Sequence, residues 1–186
     1  LIVMRDLKLL DYTQSRLHIS TISTKTSLDQ IKKAKKDKLQ ISTDVAAHQL
    51  ILNEEAIQTF DTNLKVMPPL RSEKTRKALI DGIINGTIDA ISSDHSPIEI
   101  ESKKCEFQTA KFGIIGLETV FPIINTILKD YLQVDQIIDL ISKNPRNILK
   151  LEQPIIAEKK EANITLFDPS KEWVYTKEEI QSISKN

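Results

Sequence analysis

The residues best suited to chemistry lie where the β-prone run Ile88–Ser93 ends, in the sequence Ser-Asp-His-Ser-Pro. Alternation along this strand predicts that Ile88, Ala90, Ser92 and Asp94 share one face, with small side chains below a terminal carboxylate. A carboxylate placed there can accept and return a proton. An Asp before His-Ser-Pro is also a common cap or turn former, so the local sequence alone leaves both interpretations open.

Residues that bind metals are scarce. The chain has three histidines, His18, His48 and His95, and no His-x-His pair. Its single cysteine, Cys105, lies between Lys104 and Glu106, a setting that predicts an exposed bystander thiol. One cysteine excludes an internal disulfide framework and fits a reducing compartment.

Composition excludes several classes of protein. The 186 residues carry 26 Lys and Arg against 26 Asp and Glu, so neither nucleic acid nor an anionic membrane is expected as a partner. No apolar run approaches the roughly 20 residues that span a bilayer. The basic cluster between Lys32 and Lys38 follows an amphipathic helical pattern, which indicates a solvated helix face. The single cysteine and the lack of a membrane-spanning run lead us to expect a cytoplasmic protein, or a piece of one because the first residue is not Met.

Short β-prone runs alternate with amphipathic helices. The predicted strands are Arg16–Ser20, Gln40–Val45, Ile88–Ser93, Asn163–Phe167 and Trp173–Tyr175. The predicted helices are Met4–Tyr12, one capped by Thr26 or Ser27 and ending near Asp37, Ser72–Asn85, Leu117–Asp130, Val134–Ser142 and Pro145–Leu149. This order favours parallel βαβ units. A small open sheet and the last arc of an eight-stranded barrel both fit it, and periodicity does not separate them.

Several motifs, taken in order, resemble the dihydroorotase branch of the amidohydrolase superfamily. They are LHISTISTKTSLDQIKKAK (17–35), ISTDVAAHQLIL (41–52), KVMPPLR (65–71), DGIINGTIDAISSDHSP (81–97), AKFGIIGLETVFP (110–122) and EANITLFDP (161–169). The resemblance implies the C-terminal part of a (β/α)8 barrel over residues 1–151, followed by part of a flanking β region over 152–186.

The resemblance also implies a chemistry. Members of the branch interconvert N-carbamoyl-aspartate and dihydroorotate in pyrimidine synthesis, with one or two divalent metals, usually zinc, that generate hydroxide. An aspartate that ends the eighth strand carries the proton and contacts metal, and Asp94 matches it. Substrate contacts from backbone atoms match Phe112 and Gly113.

This sequence departs from the family at three positions. Where the sixth strand normally carries a metal-binding histidine, the chain has Thr21, with His18 three residues before it. Residues three apart on a strand face opposite sides, so we expect His18 to face the helices and not to replace the ligand. Met67 stands at a usual substrate-binding asparagine, and Ile98 at a histidine that holds the substrate carboxylate. His48 and His95 match family positions that are not metal ligands.

These departures predict a fold that is kept and a site that is lost. The first hypothesis is a non-catalytic barrel segment that binds no zinc, associates with the rest of its parent barrel, and functions as a homo-oligomer or as a structural partner of aspartate transcarbamoylase. The second is an active, metal-dependent cyclic amidohydrolase that acts on a small-molecule substrate and takes its remaining ligands from upstream. A third is a stand-alone binding module, which predicts a stable monomer.

Overall fold

Three short parallel strands alternate with helices in the computed structural model, which describes residues 1–186. The strands are β1 (Leu17–Ile19), β2 (Ile41–Ala46) and β3 (Ala90–Ser92), and they lie side by side in that order. Leu17 is paired with Ile41 and Asp44 with Ala90, both in parallel register. The parallel βα units predicted from the sequence are therefore confirmed, and the carboxyl ends of all three strands meet at one edge.

Helices cover one face of this sheet and continue beyond it. They are α1 (Ile2–Thr13), α2 (Lys25–Lys36), α3 (His48–Ile51), α4 (Glu73–Ile84), α5 (Val120–Leu128), α6 (Val134–Ile138) and α7 (Asn144–Leu149), with a π-helical turn over Asp139–Lys143. The predicted cap of α2 was wrong by two residues, because the extended Thr24 accepts the hydrogen bond from the Ser27 amide. No helix combines the length and apolar composition that crossing a bilayer requires.

The hydrophobic core lies between the sheet and the helices. Ile31 of α2, Val45 of β2 and Leu79 of α4 are fully buried there. Ile88 belongs to the same core, so the prediction that it shares a face with Ser92 was wrong. The physical reason is that regular pairing begins only at Ala90, and strand alternation does not extend back to Ile88. The opposite face of the sheet is therefore left to polar side chains near the strand ends.

The last 36 residues have no helix or strand. The predicted strands Asn163–Phe167 and Trp173–Tyr175 were wrong, because no neighbouring strand is present to pair with them. A turn forms at Asp168, with its carboxylate accepting from the Ser170 amide at 2.9 Å. Phe167 packs edge-on against Phe121 of α5, at 4.6 Å between ring centres, and this contact joins the tail to the helical layer.

Candidate functional site

A buried carboxylate joins all three strands. Asp44 of β2 accepts hydrogen bonds from the Thr21 amide and Ser92 Oγ at one oxygen, at 3.0 and 2.9 Å. Its other oxygen accepts from His18 Nε2 and Ser20 Oγ, at 2.9 and 2.8 Å. Two donors on each oxygen leave Asp44 little capacity to bind anything else. This carboxylate is therefore a fully satisfied cross-link between β1, β2 and β3.

His18 lies on the polar face of the sheet, so the prediction that it faces the helices was wrong. Its ring bridges Asp44 and Ser42 of β2, with the Nδ1–Oγ distance at 2.9 Å. The residues on either side of it, Leu17 and Ile19, pack against the hydrophobic core instead. Both ring nitrogens of His18 are engaged, which supports the structural role expected for it.

Thr21 follows a break in strand alternation. Its φ of 51° lies in the left-handed region, which a β-branched residue rarely adopts. The Thr21 amide donates to Asp44, so the carboxylate holds this turned backbone in place. Because the chain turns here, the spacing of Thr21 from His18 does not report which way either side chain faces.

Asp94 lies beside a second histidine, His48. His48 begins α3 and is buried, and neither of its ring nitrogens has a hydrogen-bond partner. Its Nε2 lies 4.0 Å from Asp94 Oδ2. Burial lowers the pKa of His48 to about 4, whereas burial and the charge of Asp44 raise the pKa of Asp94. The site therefore holds a neutral imidazole next to a carboxylate with increased proton affinity.

His95 fixes the loop that follows β3. Its Nδ1 accepts from the amides of Gly116 and Leu117, at 3.2 and 3.3 Å, so the ring proton lies on Nε2. Gly116 lies against the strand end, where an added Cβ would meet the Ser93 carbonyl oxygen at 2.5 Å. His95 therefore positions backbone, in keeping with its match to a family position that is not a metal ligand.

The positions that match the family's substrate contacts are apolar or already bonded. Met67 is largely exposed. The Ile98 side chain packs against Gly113, where an added Cβ would meet Ile98 Cγ1 at 2.8 Å. The Gly113 amide donates to the Lys65 carbonyl, at 2.9 Å. The half-exposed Phe112 ring lies 4.8 Å from Lys65 Nζ. No side chain at Met67 or Ile98 provides the polar anchor expected of a carboxylate-binding site.

Two residues that the sequence analysis did not select also bind this loop. The buried Lys103 donates to the carbonyls of Thr62 and Gly113, at 2.8 and 2.7 Å. Asn186 donates to the Gly113 and Ser96 carbonyls, and its Oδ1 accepts from the Ile98 amide. Both polar groups of the Gly113 backbone are thereby engaged within the chain.

The residues present do not fit the zinc site that the family resemblance implies. No group of three or more His, Cys, Asp or Glu side chains lies in position to hold a metal ion. Structural and catalytic zinc sites use three or four protein ligands. Asp94 and His48 come within 4.0 Å of each other, but His18 is committed to Asp44 and Ser42, and Thr21 offers no imidazole.

Solved structures share the fold of this chain. The L-hydantoinase (dihydropyrimidinase) from Arthrobacter aurescens matches 80% of this chain and 34% of its own, with a TM-score of 0.74 and 24% identity. An inactive dihydroorotase-like domain of a Chaetomium thermophilum CAD-like multifunctional protein matches 80% of this chain and 41% of its own, with a TM-score of 0.61 and 23% identity. The fold is the C-terminal part of an amidohydrolase-type (β/α)8 barrel.

Sequence relatives identify the family to which the chain belongs. No family model matches the chain. Dihydroorotases from Elusimicrobium minutum and Caldicellulosiruptor saccharolyticus are both 40% identical to it, over 99% and 100% of its length. The dihydroorotase from Bacillus subtilis is 39% identical over 99%. The chain belongs to the dihydroorotase branch of the amidohydrolase superfamily, and it spans about 43–44% of the length of these relatives.

Asp44 is the main site residue that the sequence analysis missed. An acidic residue inside the run Ile41–Ala46, whose other members are apolar, small or hydroxylated, indicates a buried charge that needs partners. The serines at 20 and 92 and the histidine at 18 were available as donors. Their convergence on one carboxylate depends on strand register, which local sequence does not supply.

Proposed function

We propose that the chain is the C-terminal part of a longer dihydroorotase-like barrel that does not hydrolyse dihydroorotate. The observation that carries this proposal is the state of the position that matches the sixth-strand ligand. A threonine stands there with a left-handed backbone, and its amide is bound to the four-fold acceptor Asp44. The histidine three residues before it, His18, is bonded at both nitrogens.

The substrate positions support the same proposal. A site built to hydrogen-bond a polar substrate loses recognition when its anchors are apolar. Met67 and Ile98 offer no such anchors, and the Gly113 amide and carbonyl are engaged within the chain. We therefore propose that the parent protein holds no stoichiometric catalytic zinc.

The test measures zinc content and dihydroorotate ring opening in the full-length protein that carries this chain. The variants are Thr21→His, Met67→Asn and the pair together, with Thr26→His on the exposed surface of α2 as a control that adds a histidine elsewhere. We expect no turnover and substoichiometric zinc in the unmodified protein. Turnover of dihydroorotate with one or more bound zinc ions per chain would overturn the proposal.

A second candidate function is an active, metal-dependent cyclic amidohydrolase that takes its other ligands from upstream residues. One observation favours it: Asp94 is partly exposed, and the pKa of its carboxyl is raised by burial and by the charge of Asp44. A carboxylate with increased proton affinity suits general acid–base work. The same zinc and turnover measurements separate the two candidates, because only the second predicts loss of activity in Asp94→Asn.

Under the first candidate the parent acts through contacts with another chain. The partners we propose are a second copy of the protein or aspartate transcarbamoylase, as family resemblance suggests. β1 and β3 each pair on one edge only within the described chain, and these edges fit pairing with the remaining strands of the parent barrel, so the partner proposal rests on the family resemblance. Light scattering on the full-length protein, alone and with aspartate transcarbamoylase, measures both. A protein that stays monomeric and does not bind aspartate transcarbamoylase would contradict this role.

We also propose that residues 1–151 and 152–186 are distinct regions. The stretch from Pro154 to Val174 is exposed throughout and has no regular secondary structure. Limited proteolysis is expected to cut within it first and to leave the helical part intact. First cleavage inside α2 or α4 would contradict the division.

A further inference from the structure

His48 is a buried histidine whose ring makes no hydrogen bond. Its side chain is 6% exposed, and neither Nδ1 nor Nε2 has a partner. A neutral imidazole has one donor and one acceptor, and leaving buried polar atoms unpaired is costly. One ring nitrogen therefore carries a proton that has no acceptor.

The Asp94 carboxylate is a hydrogen-bond acceptor that lies close to this ring. His48 Nε2 lies 4.0 Å from Asp94 Oδ2, and no hydrogen bond contributes to the proton affinity of this carboxyl. The Asp94 backbone has a φ of 47°, and the side chain is about one-third exposed. A small rotation of this side chain brings its oxygen within the roughly 2.9 Å of an N–H···O hydrogen bond.

The other two histidines cannot play this part. His18 is bonded to Asp44 and Ser42, and His95 Nδ1 is occupied by the amides of Gly116 and Leu117. Only His48 combines a buried, unpartnered ring with a position facing Asp94.

We propose that His48 is the positioning residue of Asp94, donating from Nε2 to Oδ2 and turning the carboxylate toward the mouth of the barrel. The inference deepens the second candidate function, because it specifies what orients the proton-carrying carboxylate. It does not require the chain to hold zinc. The ring remains neutral, the proton remains on Nε2, and Asp94 remains the group that would exchange a proton with a ligand.

The test is NMR spectroscopy of the full-length protein at neutral pH. Long-range ¹H–¹⁵N correlations report the tautomer of each histidine, and the ¹³C carboxyl shift of Asp94 reports its hydrogen bonding. We expect the Nε2–H tautomer at His48 and a shift of the His48 signals alone in Asp94→Asn. The isosteric His48→Phe is expected to move the Asp94 carboxyl signal, and His48→Gln, which keeps an N–H donor, to return it toward wild type.

His18→Gln is the matched control, and it should leave the Asp94 signal in place. An Asp94 signal that is the same in wild type, His48→Phe and His48→Gln would overturn the proposal, as would an Nδ1–H tautomer at His48. If the parent turns over substrate, His48→Phe should lower kcat about 10–100-fold with little change in KM, and His48→Gln should lower it less. The NMR outcome holds whether or not turnover is found, so failure of either proposal is recognised separately.

Discussion

Asp44 lies within β2 and Asp94 lies two residues beyond the end of the neighbouring β3, and their carboxylates have opposite surroundings. Asp44 is buried and accepts four hydrogen bonds from two segments of chain, residues 18–21 and Ser92. Asp94 is partly exposed, and His48 Nε2 lies 4.0 Å from its carboxylate, beyond hydrogen-bonding distance. A satisfied carboxylate serves the fold, whereas one left without partners remains free to meet a ligand.

The largest effect that tests this contrast is expected for Asp44→Asn. The amide keeps the shape of the carboxylate but points an NH₂ group at donors, so the buried network is broken. We expect the free energy of unfolding to fall by about 3 kcal/mol, measured by urea denaturation. Asp94→Asn is the matched control, and an equal loss in both variants would contradict the assigned roles.

Thr21→Gly is expected to have the next largest effect. Glycine adopts the left-handed backbone without the cost of a Cβ, although it also gains entropy in the unfolded chain. We expect a stabilisation of up to about 1 kcal/mol. Thr21→Ala removes the same hydroxyl but keeps the Cβ, so it should give no gain. If Thr21→Ala stabilised the chain equally, side-chain loss and not backbone strain would be the cause.

Asp94→Asn should stabilise the chain slightly. Burial and the charge of Asp44 raise the pKa of Asp94, so its ionised form costs stability at neutral pH. The cost is screened at this partly exposed site and is expected to be a few tenths of a kcal/mol. As the pH falls through the raised pKa of Asp94, the wild type regains this stability relative to Asp94→Asn. Paired urea titrations measure the difference, and a gap that grows on acidification would contradict the sign.

The smallest effect concerns Glu73, an exposed carboxylate with good partners. Hydrogen bonds from Arg76 and Asn53 lower its pKa to about 2. A lowered pKa contributes stability above the ordinary value for Glu, and this contribution is lost as the pH falls toward 2. Thermal melts of wild type and Glu73→Gln should therefore converge between pH 4.5 and 2. A difference in melting temperature that stays constant from pH 4.5 to 2 would show that the Glu73–Arg76 ion pair is not its source.

Local sequence patterns predicted the positions of the strands and the main helices well. The strands and α2 and α4 were located to within a few residues, because their apolar periodicity agrees with their local propensity. The tail strands Asn163–Phe167 and Trp173–Tyr175 were wrong because a strand exists only when another strand pairs with it. Local β propensity cannot supply that partner.

The candidate site was predictable only in part. Asp94 was selected because a carboxylate after a β-prone run is visible in one dimension. His18 was assigned to the wrong face because Thr21 turns left-handed, which destroys the two-residue alternation on which the assignment depended. Asp44 was missed because its donors come from residues 18–21 and 92, and only parallel register brings them together.

The close contact between Gly116 and the Ser93 carbonyl links two parts of the molecule mechanically. With His95 Nδ1 accepting from the amides of Gly116 and Leu117, the segment that leads into α5 is fastened to the turn that carries Asp94. Any side chain at position 116 would meet the Ser93 carbonyl oxygen and force the two segments apart.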